Sequence, residues 1–268
     1  MKDRNLIGSD DAILVFSPKA FDGHAAAEPV ADDEVLISDE LPERPAIDYS
    51  KVKVRTLAEA LRLKMPDGAG TNGASVAFHP DLEMYFAVFA GNMGYPLAVF
   101  DKRGKRISSD EVDAGFDVRG LWFDPNKGQI WGNGYNDFGW YKLDVSKKPA
   151  APEPKNLEDG LLQPEENSVG AYDPVERGVA FFDPGNTEIR IYNPENYEEK
   201  TLIALHPGIT DPKIAAGHTL MHVPAGYNQT TAVALGGKKT AFGLLHLADR
   251  QLECYDRTTG MLTEVWKL

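Results

Sequence analysis

The stretch GLWFDPNKGQIWGNGYNDFGWYKLD, residues 120–144, carries three of the chain's four tryptophans, and glycine or asparagine interrupts it every few residues. No helix tolerates glycine at that density, and no single strand runs for so long. The segment reads instead as three short strands joined by turns. Its glycines Gly132, Gly134 and Gly139 let the chain turn between them. Whether it stands alone or is one copy of a repeat decides the fold.

It is a repeat. SVAFHPDLEMYFAVF begins at Ser75, RGLWFDPNKGQIWGNG at Arg119 and SVGAYDPVERGVAFFDP at Ser168. Each is an apolar strand, a turn opened by Pro80, Pro125 or Pro174, and a second apolar strand. Proline suits the first corner of such a turn because its φ is already near the required value. A third strand ending in a polar turn follows each hairpin: PLAVFDKRGK (96–105), GWYKLDVSKK (139–148) and TEIRIYNPEN (187–196). The aromatic before the turn recurs at Phe78, Phe123 and Tyr172, spacings of 45 and 49 residues.

A fourth copy lies at the C-terminus. TTAVALGGKKTAFGLLHL supplies a hairpin with Gly236-Gly237 at its turn, and RQLECYDRTTGMLTEVWKL supplies two more strands. The step from Tyr172 to Leu235 is 63 residues, which indicates an insertion over 206–228. Its apolar residues, among them Ile209, Ile214 and Leu220, suit an ordered lid or rim on one face.

Four-stranded units at this period make an all-β fold, a β-propeller of antiparallel blades. The clearest blades cover 75–111, 118–160, 167–205 and 229–268 of a single domain spanning 1–268. The 74 residues before Ser75 leave room for one more blade, so the count is five, or six if blades share strands across the closure. There AILVFSPKAFDG (12–23) resembles a third strand and EVLISDE (34–40) a fourth, while Thr56–Lys64 suits a strand or a short helix. A β-sandwich is the competing all-β arrangement, since regularly spaced strands suit it too.

Charge and composition narrow the function. The 268 residues hold 41 Asp+Glu against 28 Lys+Arg, a formal net charge of −13. A surface of that sign repels phosphate backbones and anionic lipid headgroups, so nucleic acid and membrane adhesion are not expected. No apolar run approaches the ~20 residues of a membrane span. The start, MKDRNLIGSDD, lacks a signal-peptide pattern. It fits a cytoplasmic protein or, the reading favoured here, an extracytoplasmic one whose signal has been removed. The one cysteine, Cys254, lies in a strand pattern that suits a small buried hydrophobe. Asn228-Gln229-Thr230 matches the glycosylation sequon, a short and unspecific pattern.

The hairpins VAFHPDLEMYFAVF and GLWFDPNKGQIWGNG, with ECYDRTTGMLTEV, resemble blades of the NHL-repeat, YVTN-type and gluconolactonase-like propellers. The resemblance covers roughly residues 75–268. It implies a ligand or metal site at the top of the central channel, usually Ca²⁺ held by Glu, Asn and Asp from different blades. The loops entering the innermost strands offer such oxygen ligands at Asn72, Asp117, Glu166 and Asn167, with Arg119, Asn228 and Gln229 beside them. The sequence departs from the family pattern in its N-terminal part, where the acidic residue of the first metal-binding strand has no counterpart.

Other residue sets carry weaker chemistry. His218 and His222 stand four apart in HTLMH, but the internal glutamate of HExxH is missing. Glu165-Glu166 suits an acid–base pair or a solvated turn. Asn133 and Asn136 among Tyr135, Phe138, Trp140 and Tyr141 suit sugar stacking or blade packing. No nucleophile elbow, P-loop or dinucleotide fingerprint occurs. The function expected is a non-catalytic binding propeller, recognising a small ligand or protein partner at the channel mouth; the alternative is a Ca²⁺-dependent lactonase-type hydrolase.

Overall fold

The computed structural model describes residues 5–8, 12–16, 48–64, 72–90, 96–183, 188–205, 232–234, 241–246 and 251–267. The protein is all-β, with small, mostly antiparallel sheets arranged as a propeller. The first sheet is β1 (Asn5–Gly8), β2 (Ala12–Phe16) and β4 (Glu59–Lys64), with β2 central. The second is β5 (Asn72–His79), β6 (Met84–Ala90) and β7 (Leu97–Asp101). The third runs β8 (Val118–Asp124), β9 (Gln129–Gly134), β10 (Trp140–Asp144) and β11 (Glu153–Glu158). The fourth runs β12 (Ala171–Asp173), β13 (Gly178–Asp183), β14 (Glu188–Tyr192) and β15 (Glu199–Ala204). The fifth runs β16 (Ala232–Ala234), β17 (Ala241–His246), β18 (Gln251–Asp256) and β19 (Leu262–Lys267), and β3 (Lys53–Thr56) joins its outer edge.

Each first strand neighbours the next: β1 lies beside β5, β5 beside β8, β8 beside β12, and β12 beside β16. These are the innermost strands, and the end at which they begin is the top face. The ring is closed by β3, which pairs in parallel with β19 while Leu57 N donates to Lys267 O at 2.8 Å. The chain then crosses directly to the first sheet as β4.

Two readings of the N-terminal part are corrected here. Ala12–Phe16 is the second strand of its sheet, because Asn5–Gly8, which the pattern left unassigned, pairs with it first. Thr56–Lys64 contains no helix; alternation in EALRLK buries Leu63 against the second sheet while its neighbours face out. The strand expected at 34–40, the insertion at 206–228 and the Gly236-Gly237 turn lie outside the described residues.

Burial explains the repeat's composition. Apolar clusters fill the spaces between successive sheets, so central strands are buried on both faces. β13, GVAFFD, is buried at every position, and β9, QIWGNG, at all but its first. Such strands read as unbroken apolar runs. Outer strands such as β11, EPKNLE, face solvent on nearly every residue. Cys254 is fully buried in β18, as its setting in the sequence implied.

The hairpin turns are alike atom by atom. Asp124 Oδ1 accepts from Asn126 N at 2.8 Å, Asp173 Oδ1 from Val175 N at 3.2 Å, and His79 Nδ1 from Leu82 N at 3.4 Å. The last residue of each turn is left-handed: Glu83 at φ 51°, Gly128 at 61° and Arg177 at 53°. Only the third blade uses glycine there. The physical demand of the turn recurs even where the residue does not.

Candidate functional site

A bulge sets up the site. Val118 pairs with Gly134 and Gly120 pairs with Asn133, which leaves Arg119 as the extra residue of β8. A bulge re-aims the side chain it carries. Arg119 is 3% exposed, and its Nη2 donates to Asp117 Oδ2 at 2.7 Å. Its guanidinium lies 4.6 Å from the centre of the Tyr135 ring. The second blade has the same bulge at Ala74. The device thus belongs to the repeat, but the third blade puts a cation on it.

The loops around Arg119 come from two blades. Tyr135 follows β9 and donates its backbone N–H to Asp117 O at 2.7 Å. Asn136, left-handed at φ 51°, donates to Glu166 O at 2.9 Å. The Tyr135 hydroxyl is hydrogen-bonded to the Glu166 carboxylate, which holds the phenol above its ordinary value. Gln163, buried below this turn, donates through Nε2 to Gly134 O at 2.9 Å and to Asn136 O at 3.4 Å. Asp117, Arg119, Tyr135, Gln163 and Glu166 thus meet at the top of the seam between the third and fourth blades.

Burial outweighs the Arg119 charge at Asp117 and pushes that carboxyl above its usual range. Burial also raises Glu165, assisted by the nearby Asp183 and Glu166 carboxylates. The ordinary cause in both cases is that a low-dielectric setting disfavours the charged form.

The sequence candidates separate on this geometry. Asp117, Arg119, Glu166 and Asn136 come together, and Asn167 is the next residue on the Glu166 loop. Asn72 begins β5, paired with Ala90. It stands two residues before the bulge, as Asp117 does, and Glu166 holds the matching place by the 49-residue spacing. Asn133 is fully buried, and both ends of its amide hold the seam: Nδ2 donates to Ser168 O at 2.8 Å and Oδ1 accepts from Gly170 N at 3.1 Å. Trp140 is also fully buried, edge-on to Trp122 and Tyr197. His218, His222, Asn228 and Gln229 lie outside the described residues. Sequence reasoning did not single out Gln163, whose role depends on a loop conformation that carries no residue pattern.

Calcium needs six or more oxygen ligands, several of them charged. Among the described residues no three His, Cys, Asp or Glu side chains come together as a metal would require. A dication at Asp117 would also compete with a guanidinium already 2.7 Å from its oxygen. The described residues therefore do not fit that ion, and no step is routed through one.

No family model matches the chain, and no curated protein does at a significant level. Solved structures do. Glutaminyl cyclase from Myxococcus xanthus is similar with a TM-score of 0.50 and 11% identity, over 74% of this chain and 71% of that one. The nidogen/laminin complex gives a TM-score of 0.48 at 8% identity, over 99% of this chain and 93% of that one. An auxiliary nutrient binding protein from Bacteroides thetaiotaomicron gives 0.45 at 13% identity, over 72% of this chain and 40% of that one. Likeness at these identities shows the fold alone.

Proposed function

We propose that this chain is a non-catalytic binding propeller that recognises a small ligand at its top face, where the third and fourth blades meet. The observation that carries this reading is the Asp117–Arg119–Tyr135–Glu166 set. Four polar side chains from separate loops converge there, and Glu166 remains exposed. Buried groups held in one geometry beside an open carboxylate are arranged for recognition, since little ordering remains when a ligand arrives. The likeness of these hairpins to gluconolactonase-like and NHL-repeat blades supports a site on this face.

The test is a thermal-shift screen of small polar metabolites against the full chain, repeated with Tyr135→Phe and Glu166→Ala. A hit whose stabilisation vanishes in both variants, with the unliganded melting temperature little changed, supports the site. Hits that persist in both variants place recognition elsewhere. A Ca²⁺-dependent lactonase is the competing reading, favoured by Asp117 and Glu166 lying in one cluster. Calorimetry with Ca²⁺ after chelation separates the two: millimolar-or-tighter binding together with lactone turnover would establish the hydrolase, and absence of both would remove it.

A further inference from the structure

The open hydrogen-bonding positions at the top of this seam are acceptors. Asp117 Oδ1 is buried and has no donor among the described residues, while Oδ2 is held by Arg119. Gln163 is 4% exposed; its Nε2 is engaged, and its Oε1 has no donor among the described residues. Glu166 adds a carboxylate open to solvent. All three are tied to the same 134–136 turn: Asp117 through Tyr135 N, Gln163 through Gly134 O, and Glu166 through Asn136 N and the Tyr135 hydroxyl.

A buried acceptor left without a donor costs about 1–3 kcal/mol, so two in one place mark a position that a donor would relieve. The charge has the matching sign. Arg119 is balanced by Asp117, which leaves Glu166 uncompensated, with Glu165 and the buried Asp183 close behind it. An anion would meet bare carboxylate oxygens. A guanidinium offers a flat fork suited to a single carboxylate, whereas an ammonium presents three donors around one point.

We propose that this cleft takes a ligand bearing a primary ammonium group, seated among Asp117 Oδ1, Gln163 Oε1 and the Glu166 carboxylate. The inference rests on the reading of this cluster as the ligand site. Calorimetry on the full chain with putrescine tests it, with butanediol and succinate as neutral and anionic counterparts of matched length. Putrescine binds and the other two do not; Glu166→Gln and Gln163→Met each weaken it about tenfold, the loss of one hydrogen bond to a charged group. Glu166 is exposed, so Glu166→Gln reads out binding even if Gln163→Met fails to fold. Putrescine binding that both variants leave intact is general attraction to an acidic surface and overturns the proposal. Equal binding of butanediol overturns it too, because charge then plays no part. Succinate binding abolished by Tyr135→Phe would keep the site and reject the cation. Failure of all three probes rejects the ammonium, and the metabolite screen then decides separately whether the site stands.

Discussion

Arg119 Nη2 reaches Asp117 Oδ2 at 2.7 Å from a bulge position only two residues further along the chain. In a regular strand the two side chains would share one face of the sheet. The bulge instead lets the pair fold over the strand's entry, with Tyr135 against the guanidinium. Both members are largely withdrawn from water, at 3% and 14% side-chain exposure.

That pairing sets an asymmetric mutational response. Removing one partner of a buried pair leaves the other charge uncompensated, whereas removing both can be nearly neutral. Asp117→Ala is expected to lower stability by about 3 kcal/mol. Asp117→Ala combined with Arg119→Met should recover most of that loss. Urea unfolding of the two single variants and the double variant checks it; additive losses would mean that the pair is not coupled.

Glu165 carries a pH signature of definite sign. Its folded-state pKa lies above the ordinary 4.5, so the charged carboxyl costs stability once pH exceeds that value. Below 4.5 both folded and unfolded states hold the proton, and the cost is absent. Glu165→Gln should therefore be more stable than the parent chain near neutral pH, with the gain fading as pH falls towards 4.5. Melting temperatures of both proteins across this range decide it. A gain that persists in acid would trace to packing instead.

At Gly120 the seam between the third and fourth blades is at its closest. A Cβ there would land on Asn133 Oδ1 and on the Gly170 backbone N, and neither can swing away. Gly120→Ala should cost about 3 kcal/mol, the upper range for overpacking, and Asn133→Ala about 2 kcal/mol through lost buried hydrogen bonds. Denaturant midpoints measure both. A neutral Gly120→Ala would show that the inner strands separate easily.

The left-handed turn residues give the opposite sign at two equivalent places. Gly128→Ala meets nothing within 4 Å, so its expected loss of about 1 kcal/mol is conformational. Arg177 is exposed at φ 53°, and Arg177→Gly should gain about 0.5 kcal/mol. Thermal denaturation of the two variants tests whether the hairpins share one geometry.

The hairpins were legible because local chemistry writes them. Proline at 80, 125 and 174, a capping side chain before it and apolar runs on either side specify a turn whatever surrounds it. Apolar runs buried on both faces then require sheets packed against sheets, which is how the propeller could be read. The N-terminal part resisted because Asn5–Gly8 and Lys53–Thr56 are short, and pairing with distant strands makes them strands at all.

The site divides in the same way. Sequence alone placed Asp117, Arg119 and Glu166 in loops entering the innermost strands, since strand starts follow from the repeat. It also offered Asn133 and Trp140 as surface recognition groups, and only the tertiary structure put both inside the seam. An amide or indole has the same letter whether it faces solvent or a neighbouring blade; burial depends on which blade packs against it. That Arg119 occupies a bulge, and that Gln163 lies beneath the Tyr135 turn with one acceptor open, were likewise decided in three dimensions. Periodicity along the chain determines which strands form. The approach of two blades determines which of their polar atoms are left facing one another.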